Sequence, residues 1–71
     1  MLPDRLKQLR ADRNLTQRAV ATGIHITERN YQRFERGTVS PSHDAFIALA
    51  SFFDVSLDYL VGRTDKQEVN R

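Results

Sequence analysis

The residues between 28 and 36 place hydrogen-bonding and aromatic side chains at regular helical spacing. At about 100° per residue, one face of a helix here would carry Arg29, Gln32, Arg33 and Arg36. Tyr31 and Phe34 would lie on the opposite face and anchor the helix. Arginine can donate two hydrogen bonds to guanine O6 and N7, and glutamine can bind adenine N6 and N7 in the same bidentate way. The pattern fits a helix that enters the major groove of DNA, and it also fits a basic helix exposed to solvent.

The charged residues are divided unevenly along the chain, although the net charge is only +2. Residues 5–36 carry eight basic side chains, namely Arg5, Lys7, Arg10, Arg13, Arg18, Arg29, Arg33 and Arg36. The acidic side chains of that segment are Asp12, Glu28 and Glu35. Residues 37–62 contain no lysine or arginine, and their acidic side chains are Asp44, Asp54 and Asp58. This asymmetry indicates an anionic partner for the first half of the chain.

The length and composition exclude several classes of protein. A chain of 71 residues allows one small domain, and the absence of cysteine excludes disulfides and thiolate zinc sites. No apolar run approaches the ~20 residues that span a bilayer, and the N-terminus lacks a signal-peptide pattern, so we expect a soluble, cytoplasmic protein without membrane contact. His25 and His43 are the only histidines, and no catalytic set can be assembled. We therefore expect no enzymatic activity, no metal and no cofactor.

Capping residues and apolar spacing predict an all-α fold of five short helices. Leucines at positions 2, 6 and 9 recur at helical spacing, and Pro3 suits a first helical turn. An N-cap residue precedes each of the other four predicted helices: Thr16, Thr27, Ser42 and Ser56. The second and third helices are predicted over 17–22 and 28–36. The fourth carries an apolar stripe of Phe46, Leu49, Ala50 and Phe53, and the fifth contains Leu57, Leu60 and Val61.

Residues that tolerate a left-handed backbone mark the ends of these helices. Asn14 and Asp54 can turn the chain after the first and fourth helices, and Gly37 and Gly62 can stop the third and fifth. The predicted domain covers residues 1–62. Residues 63–71 are polar and are predicted to form a frayed C-terminal tail.

Two segments carry a resemblance to a known family. Residues 15–21 (LTQRAVA) through 31–37 (YQRFERG) resemble the helix-turn-helix of the XRE family, which includes phage lambda-type repressors and Cro. Residues 53–62 (FDVSLDYLVG) resemble that family's closing helices, so the resemblance spans roughly residues 4–62. It implies a lambda-repressor-like domain. The chain departs from the family at His25, where glycine is usual in the turn, and at Tyr31, where a smaller aliphatic residue is usual.

The resemblance also implies a function, namely sequence-specific binding of a double-stranded DNA operator by a transcriptional regulator, expected to be a repressor and a homodimer. The residues expected to contact bases in the major groove are Glu28, Arg29, Gln32 and Arg33. Those expected to contact phosphates are Gln17, Arg18, Thr27, Asn30, Arg36 and Ser40. Glu28 has two interpretations, since it can accept a hydrogen bond from cytosine N4 or stabilise the helix N-terminus through the dipole.

Two further sets of residues receive other roles. Arg10 and Glu35 match residues that form an ion pair between the first and third helices of relatives, so we assign them to structure. Phe52, Leu57 and Tyr59 are candidates for an exposed apolar dimer interface, and the alternative is that they complete the core. A different class of function remains open, an antitoxin-type module whose main partner is a protein. A general nucleic-acid binder is a third alternative.

Overall fold

The computed structural model describes residues 1–69, and this part of the chain forms five α-helices without a β-strand. The helices are α1 (Leu2–Asp12), α2 (Gln17–Gly23), α3 (Glu28–Arg36), α4 (His43–Phe53) and α5 (Leu57–Leu60). The predicted all-α class is confirmed, and α2 is one residue longer than predicted. Residues 70 and 71, which belong to the predicted tail, lie outside the described residues. None of the described helices has the length and apolar character needed to cross a membrane.

Hydroxyl caps begin four of the five helices, at the residues that the sequence predicts: Thr16, Thr27, Ser42 and Ser56. Each hydroxyl oxygen accepts a hydrogen bond from the backbone N–H three residues later, at distances of 3.0, 3.1, 3.2 and 3.0 Å respectively. Loss of such a cap costs about 1 kcal/mol of stability. The side chain of the N-cap residue therefore determines where each of these helices starts.

Three non-glycine residues adopt positive φ at the turns. Asn14 (φ 55°) follows α1 and Asp54 (φ 54°) follows α4, as the sequence predicts. His25 (φ 62°) lies in the turn between α2 and α3, at the position where the XRE resemblance favours glycine. Its side chain is exposed, so the left-handed backbone is not compensated by burial.

We expect His25→Gly to raise the free energy of unfolding by about 0.5 kcal/mol. A left-handed backbone costs a residue with a Cβ roughly 1 kcal/mol, and the greater freedom of glycine in the unfolded chain offsets part of that gain. Urea denaturation measures the difference. The matched control is Thr22→Gly, which removes a side chain from the exposed part of α2 and should lower stability by about 0.3 kcal/mol. A lower stability for His25→Gly would contradict the prediction.

The core is built from every helix. The largest fully buried side chains are Tyr31, Phe53, Leu6, Leu9, Leu49, Leu60 and Val20. On α3 the ring of Tyr31 meets the ring of Phe34 edge-to-face, with centroids 6.4 Å apart, and both rings are buried. Burial of these two rings fixes the rotation of α3, so that the face opposite them points to solvent.

Gly23, at the end of α2, is in close contact with an aromatic ring. The ring of Phe52 lies directly against it, and a Cβ added at Gly23 would overlap two ring carbons. Phe52 also meets Phe53 edge-to-face, with centroids 5.1 Å apart. Phe52 therefore covers the end of α2 and is about one third exposed.

The start of the predicted tail is packed against the helices. Arg5 donates hydrogen bonds to the carbonyl oxygen of Thr64 at 3.1 Å and to the carboxylate of Asp65 at 3.0 Å. Its guanidinium also lies 4.0 Å from the centre of the Tyr59 ring. The backbone N–H of Ser56 donates to the carbonyl oxygen of residue 67 at 2.9 Å. The prediction of a frayed tail is wrong for Thr64, Asp65 and Gln67, because a side chain of α1 and the backbone at the start of α5 give them partners.

Candidate nucleic-acid interface

The outward face of α3 carries three arginines that have no ion-pair partner among the described residues. Arg29 and Arg36 are exposed, and Arg33 is half-buried beside Phe34. Within residues 1–69, none of these three arginines forms an ion pair. The predicted stripe on α3 is therefore placed on the surface, with its guanidinium groups free to bind an anion or a base edge.

Arg10 and Glu35 form the ion pair that the sequence predicts. Arg10 Nε donates to Glu35 Oε2 at 2.8 Å, and Arg10 Nη2 donates to Glu35 Oε1 at 3.1 Å. Arg10 Nη1 also donates to the carbonyl oxygen of Leu15 at 3.2 Å. The carboxylate is almost completely buried, with Glu35 2% exposed. This bidentate pair ties α1 and the loop before α2 to α3.

The electrostatics of this pair keep both groups ionised. Burial raises the pKa of Glu35, but interactions with Arg10, the Tyr31 hydroxyl and Gln17 outweigh it and hold the pKa below its ordinary value. The hydrogen bond to Glu35 raises the pKa of Arg10. Burial and the neighbouring Glu35 carboxylate also raise the pKa of the Tyr31 hydroxyl. The carboxylate therefore acts only as an acceptor at neutral pH.

Gln17 and Gln32 are brought together beside Glu35. Gln17 Nε2 donates to Glu35 Oε1 at 3.1 Å, and Gln32 Nε2 donates to Gln17 Oε1 at 3.2 Å. Both glutamines are half-buried. A residue predicted to contact phosphate and one predicted to contact a base are thus joined, and both roles stay predictions.

Glu28 and Arg18 lie together at the start of the same face. Arg18 Nε is 3.5 Å from Glu28 Oε1, and the Arg18 side chain is 81% exposed. Glu28 also lies in the first turn of α3, where the helix dipole favours an acidic residue. Both interpretations of Glu28 remain available, because this exposed pair is weak enough to open.

The remaining predicted contacts flank α3. Asn30, Arg33 and Ser40 line one groove of about 350 Å³ between α3 and the start of α4. Thr27 lies at the N-terminus of α3, where its hydroxyl oxygen caps the helix, and Arg36 lies in the last turn. The candidate phosphate contacts therefore border the candidate base contacts on two sides.

Three basic residues in the first half of the chain bind other groups of the same domain and do not add to its basic surface. Besides Arg5 and Arg10, Arg13 donates to the carbonyl oxygen of Phe53 at 2.9 Å, and its guanidinium lies 5.5 Å from the centre of that ring. Charge asymmetry alone therefore overestimates the basic surface, because it counts guanidinium groups that bind carbonyls and aromatic rings.

Tyr59 is not part of an exposed apolar interface: it is buried under Arg5, in agreement with the alternative that it completes the core. Leu57 is exposed, together with two residues that the predicted interface did not include, Ile47 and Val61. All three are more than 40% exposed. A sequence signal existed for them: Ile47 falls off the buried stripe of α4, and Leu57 and Val61 are four residues apart, on one side of α5.

Within the described residues, no three His, Cys, Asp or Glu side chains come close enough together to hold a metal ion.

Comparison with known proteins gives one consistent result. A helix-turn-helix family model matches residues 6–60. The chain is 38% identical over 65 residues to the uncharacterized HTH-type transcriptional regulator YobD of Bacillus subtilis, covering 92% of this chain and 58% of that protein. It is 34% identical over 65 residues to the cryptic phage CTXphi transcriptional repressor RstR of Vibrio cholerae, covering 92% of this chain and 59% of that protein. The chain thus spans less than two thirds of the length of these relatives.

The solved structures agree on the fold. The P22 c2 repressor protein, solved in complex with a synthetic operator, superposes with a TM-score of 0.81 at 22% identity, covering 84% of this chain and 91% of that one. Its fold is the lambda-repressor-like arrangement that the resemblance implied. The match of the family model over most of the chain, together with these relatives, shows that the chain belongs to the XRE family of helix-turn-helix regulators.

Proposed function

We propose that the chain binds double-stranded DNA sequence-specifically, with α3 in the major groove, as part of a transcriptional repressor. The observation that carries this proposal is the outward face of α3, where Arg29, Arg33 and Arg36 have no acidic partner within residues 1–69. Two similar proteins support it, since RstR is a transcriptional repressor and P22 c2 has been crystallised with operator DNA.

The arrangement divides the contacts by their chemistry. Arg29 and Arg33 present bidentate donors for guanine, and Gln32 presents an amide for adenine. Thr27 and Arg36 lie at the two ends of α3, and Ser40 lies in the groove beside it. These residues face the DNA phosphates on the two sides of the major groove. Base contacts then set specificity, and phosphate contacts set position on the duplex.

Selection of bound sequences from a randomised duplex pool tests the proposal. We expect one enriched sequence, and we expect affinity for random duplex to fall steeply with salt concentration because phosphate contacts release counterions. Absence of any enriched sequence would overturn sequence-specific binding. Enrichment of single-stranded or RNA ligands over duplex would favour a general nucleic-acid binder.

We further propose that the protein binds its operator as a homodimer. One α3 offers few base contacts, whereas two copies related by a two-fold axis would read half-sites ~34 Å apart. The exposed apolar residues Ile47, Leu57 and Val61 support a pairing surface in the segment without lysine or arginine. The surface is small, so we expect weak pairing that DNA strengthens by holding both copies side by side.

Leu57→Glu is expected to abolish pairing without unfolding the domain, because the side chain is exposed. Analytical ultracentrifugation with the selected duplex should show two copies per site for the wild type and one for the variant. The control is Ala11→Glu, which adds the same charge to the exposed side of α1. Two copies per site for Leu57→Glu would contradict this pairing surface, and selected sequences without inverted symmetry would contradict the dimer.

The same apolar surface supports one alternative partner. An antitoxin-type module would use Ile47, Leu57 and Val61 to bind another protein. Leu57→Glu would then leave the number of protein copies per DNA site unchanged. We propose a cytoplasmic location because the similar regulators are bacterial and bacterial DNA lies in the cytoplasm. Family and fold are those of DNA-binding regulators and not of enzymes.

A further inference from the structure

We propose that Glu35 and Gln17 are positioning residues that orient the Gln32 amide and so set the base preference at one position of the bound DNA. This role rests on the proposed function, because it concerns the same face of α3. It is carried by a row of hydrogen bonds that runs from the buried pair of Arg10 and Glu35 to the surface.

The first hydrogen bond of the row orients the Gln17 amide. The Glu35 carboxylate is nearly completely buried and is held by two hydrogen bonds from Arg10. An ionised carboxylate can only accept hydrogen bonds, so the Gln17 amide must turn its NH₂ group towards it. The observed Nε2–Oε1 distance of 3.1 Å has this polarity. The Gln17 carbonyl oxygen is thereby directed away from Glu35.

The second step transfers that polarity to Gln32. The Gln17 carbonyl oxygen can only accept, and Gln32 Nε2 donates to it at 3.2 Å. Donation of one N–H leaves Gln32 with a second N–H and its carbonyl oxygen. A freely rotating amide would present either end, whereas this one is held by a neighbour that is itself held by a buried charge.

The fixed orientation of the Gln32 amide determines which base it prefers. One N–H and one carbonyl oxygen match adenine, which accepts at N7 and donates from N6. Guanine presents two acceptors, N7 and O6, and would meet the Gln32 oxygen unfavourably. Gln32 therefore prefers adenine while the row is intact, and it loses that preference when Gln17 no longer holds its NH₂ group.

Base preferences of Gln17→Met test this role, because methionine keeps the length of the side chain and removes its hydrogen bonds. The base pair that Gln32 contacts is identified as the one whose preference Gln32→Ala abolishes. We expect Gln17→Met to reduce the preference for A·T over G·C at that base pair by about fivefold or more, in line with the discrimination of one bidentate contact. Preferences read by Arg29 and Arg33 should persist. The matched control is Gln8→Met, whose amide donates to Asp12 on α1.

The pattern of loss across the base pairs distinguishes this role from a phosphate contact and from a general loss of stability. An unchanged preference at the base pair that Gln32 contacts overturns the role. An equal loss at all base pairs also overturns it, because a phosphate contact or a less stable fold weakens every duplex alike. Glu35→Gln gives a second variant of the same size, and its folded fraction should show the same local loss.

NMR of the free protein distinguishes failure of this role from failure of the proposed function. Gln17→Met should shift the side-chain NH₂ signals of Gln32 towards those of an exposed glutamine, and Gln8→Met should leave them unchanged. Unchanged Gln32 signals in Gln17→Met would overturn the role even if DNA binding is specific. A wild type without sequence preference would overturn the proposed function and this role with it, while a shift of these signals would still show the hydrogen bond.

Discussion

Glu35→Ala is expected to lower the free energy of unfolding by about 3 kcal/mol. Removal of one partner from a buried ion pair typically costs 3–5 kcal/mol, and the lower end applies because the Arg10 side chain is 26% exposed and can recruit water. The Gln17 amide also loses its acceptor. The measurement is urea denaturation followed by circular dichroism.

Glu28→Ala is the matched control, since it removes the other glutamate of α3. Its carboxylate pairs with the exposed Arg18 at 3.5 Å, and such surface pairs contribute about 0–1 kcal/mol. Equal stability losses for the two variants would contradict the assignment of Glu35 to the framework of the domain.

The free energy of unfolding of the wild type should also decrease as the pH becomes acidic. The pKa of Glu35 is lower in the folded protein than its ordinary value of 4.5, so the folded state binds the proton less readily. The contribution of the pair is therefore full above pH 4.5 and is lost as the pH falls through the folded pKa. Glu35→Ala should lose less stability over that acidic range. A parallel loss in both proteins would contradict the linkage.

Arg33→Ala is expected to weaken binding to the selected duplex by about 1–3 kcal/mol and to relax the preference at one base pair. The Arg33 guanidinium can donate two hydrogen bonds to a guanine, and Arg33 lines the groove beside Phe34 and Val39. Fluorescence anisotropy with duplexes substituted at each position measures the effect. Unchanged base preferences would show that α3 does not read the groove through Arg33.

Two arginine controls separate specificity from charge. Arg36→Ala removes a predicted phosphate contact and should weaken all duplexes similarly, with a smaller salt dependence. Arg63→Ala removes the same charge from a side chain that lies 3.9 Å from Asp58, outside α3. We expect only a slight, uniform loss for Arg63→Ala.

The parts of the fold that the sequence predicted are those with a local cause. Thr16, Thr27 and Ser42 begin helices because their own hydroxyl oxygen caps the backbone. Asn14 and Asp54 end helices because their short polar side chains tolerate a left-handed backbone. Such effects involve residues within one turn of each other, so the sequence alone is enough to identify them.

The parts that the sequence could not predict depend on distant residues. α5 has four residues, which is too short for apolar periodicity to identify its buried side, so the sequence left Tyr59 either exposed at an interface or buried in the core. The contact of Arg5 with Thr64 joins residues 59 positions apart. For the candidate site, the stripe on α3 could be predicted from spacing. The link from Glu35 through Gln17 to Gln32 could not, because it depends on side-chain positions in two helices.

The missing side chain of Gly23 has an evolutionary consequence. Because the Phe52 ring occupies the space of a Cβ at position 23, neither residue can change freely while the other is kept. A side chain at 23 would require the Phe52 ring to rotate into solvent or a smaller residue at 52, and a smaller residue at 52 would leave a gap over α2 that a side chain at 23 could fill. Substitutions at these two positions should therefore arrive in pairs, so that descendants of this sequence inherit glycine with phenylalanine or replace both together.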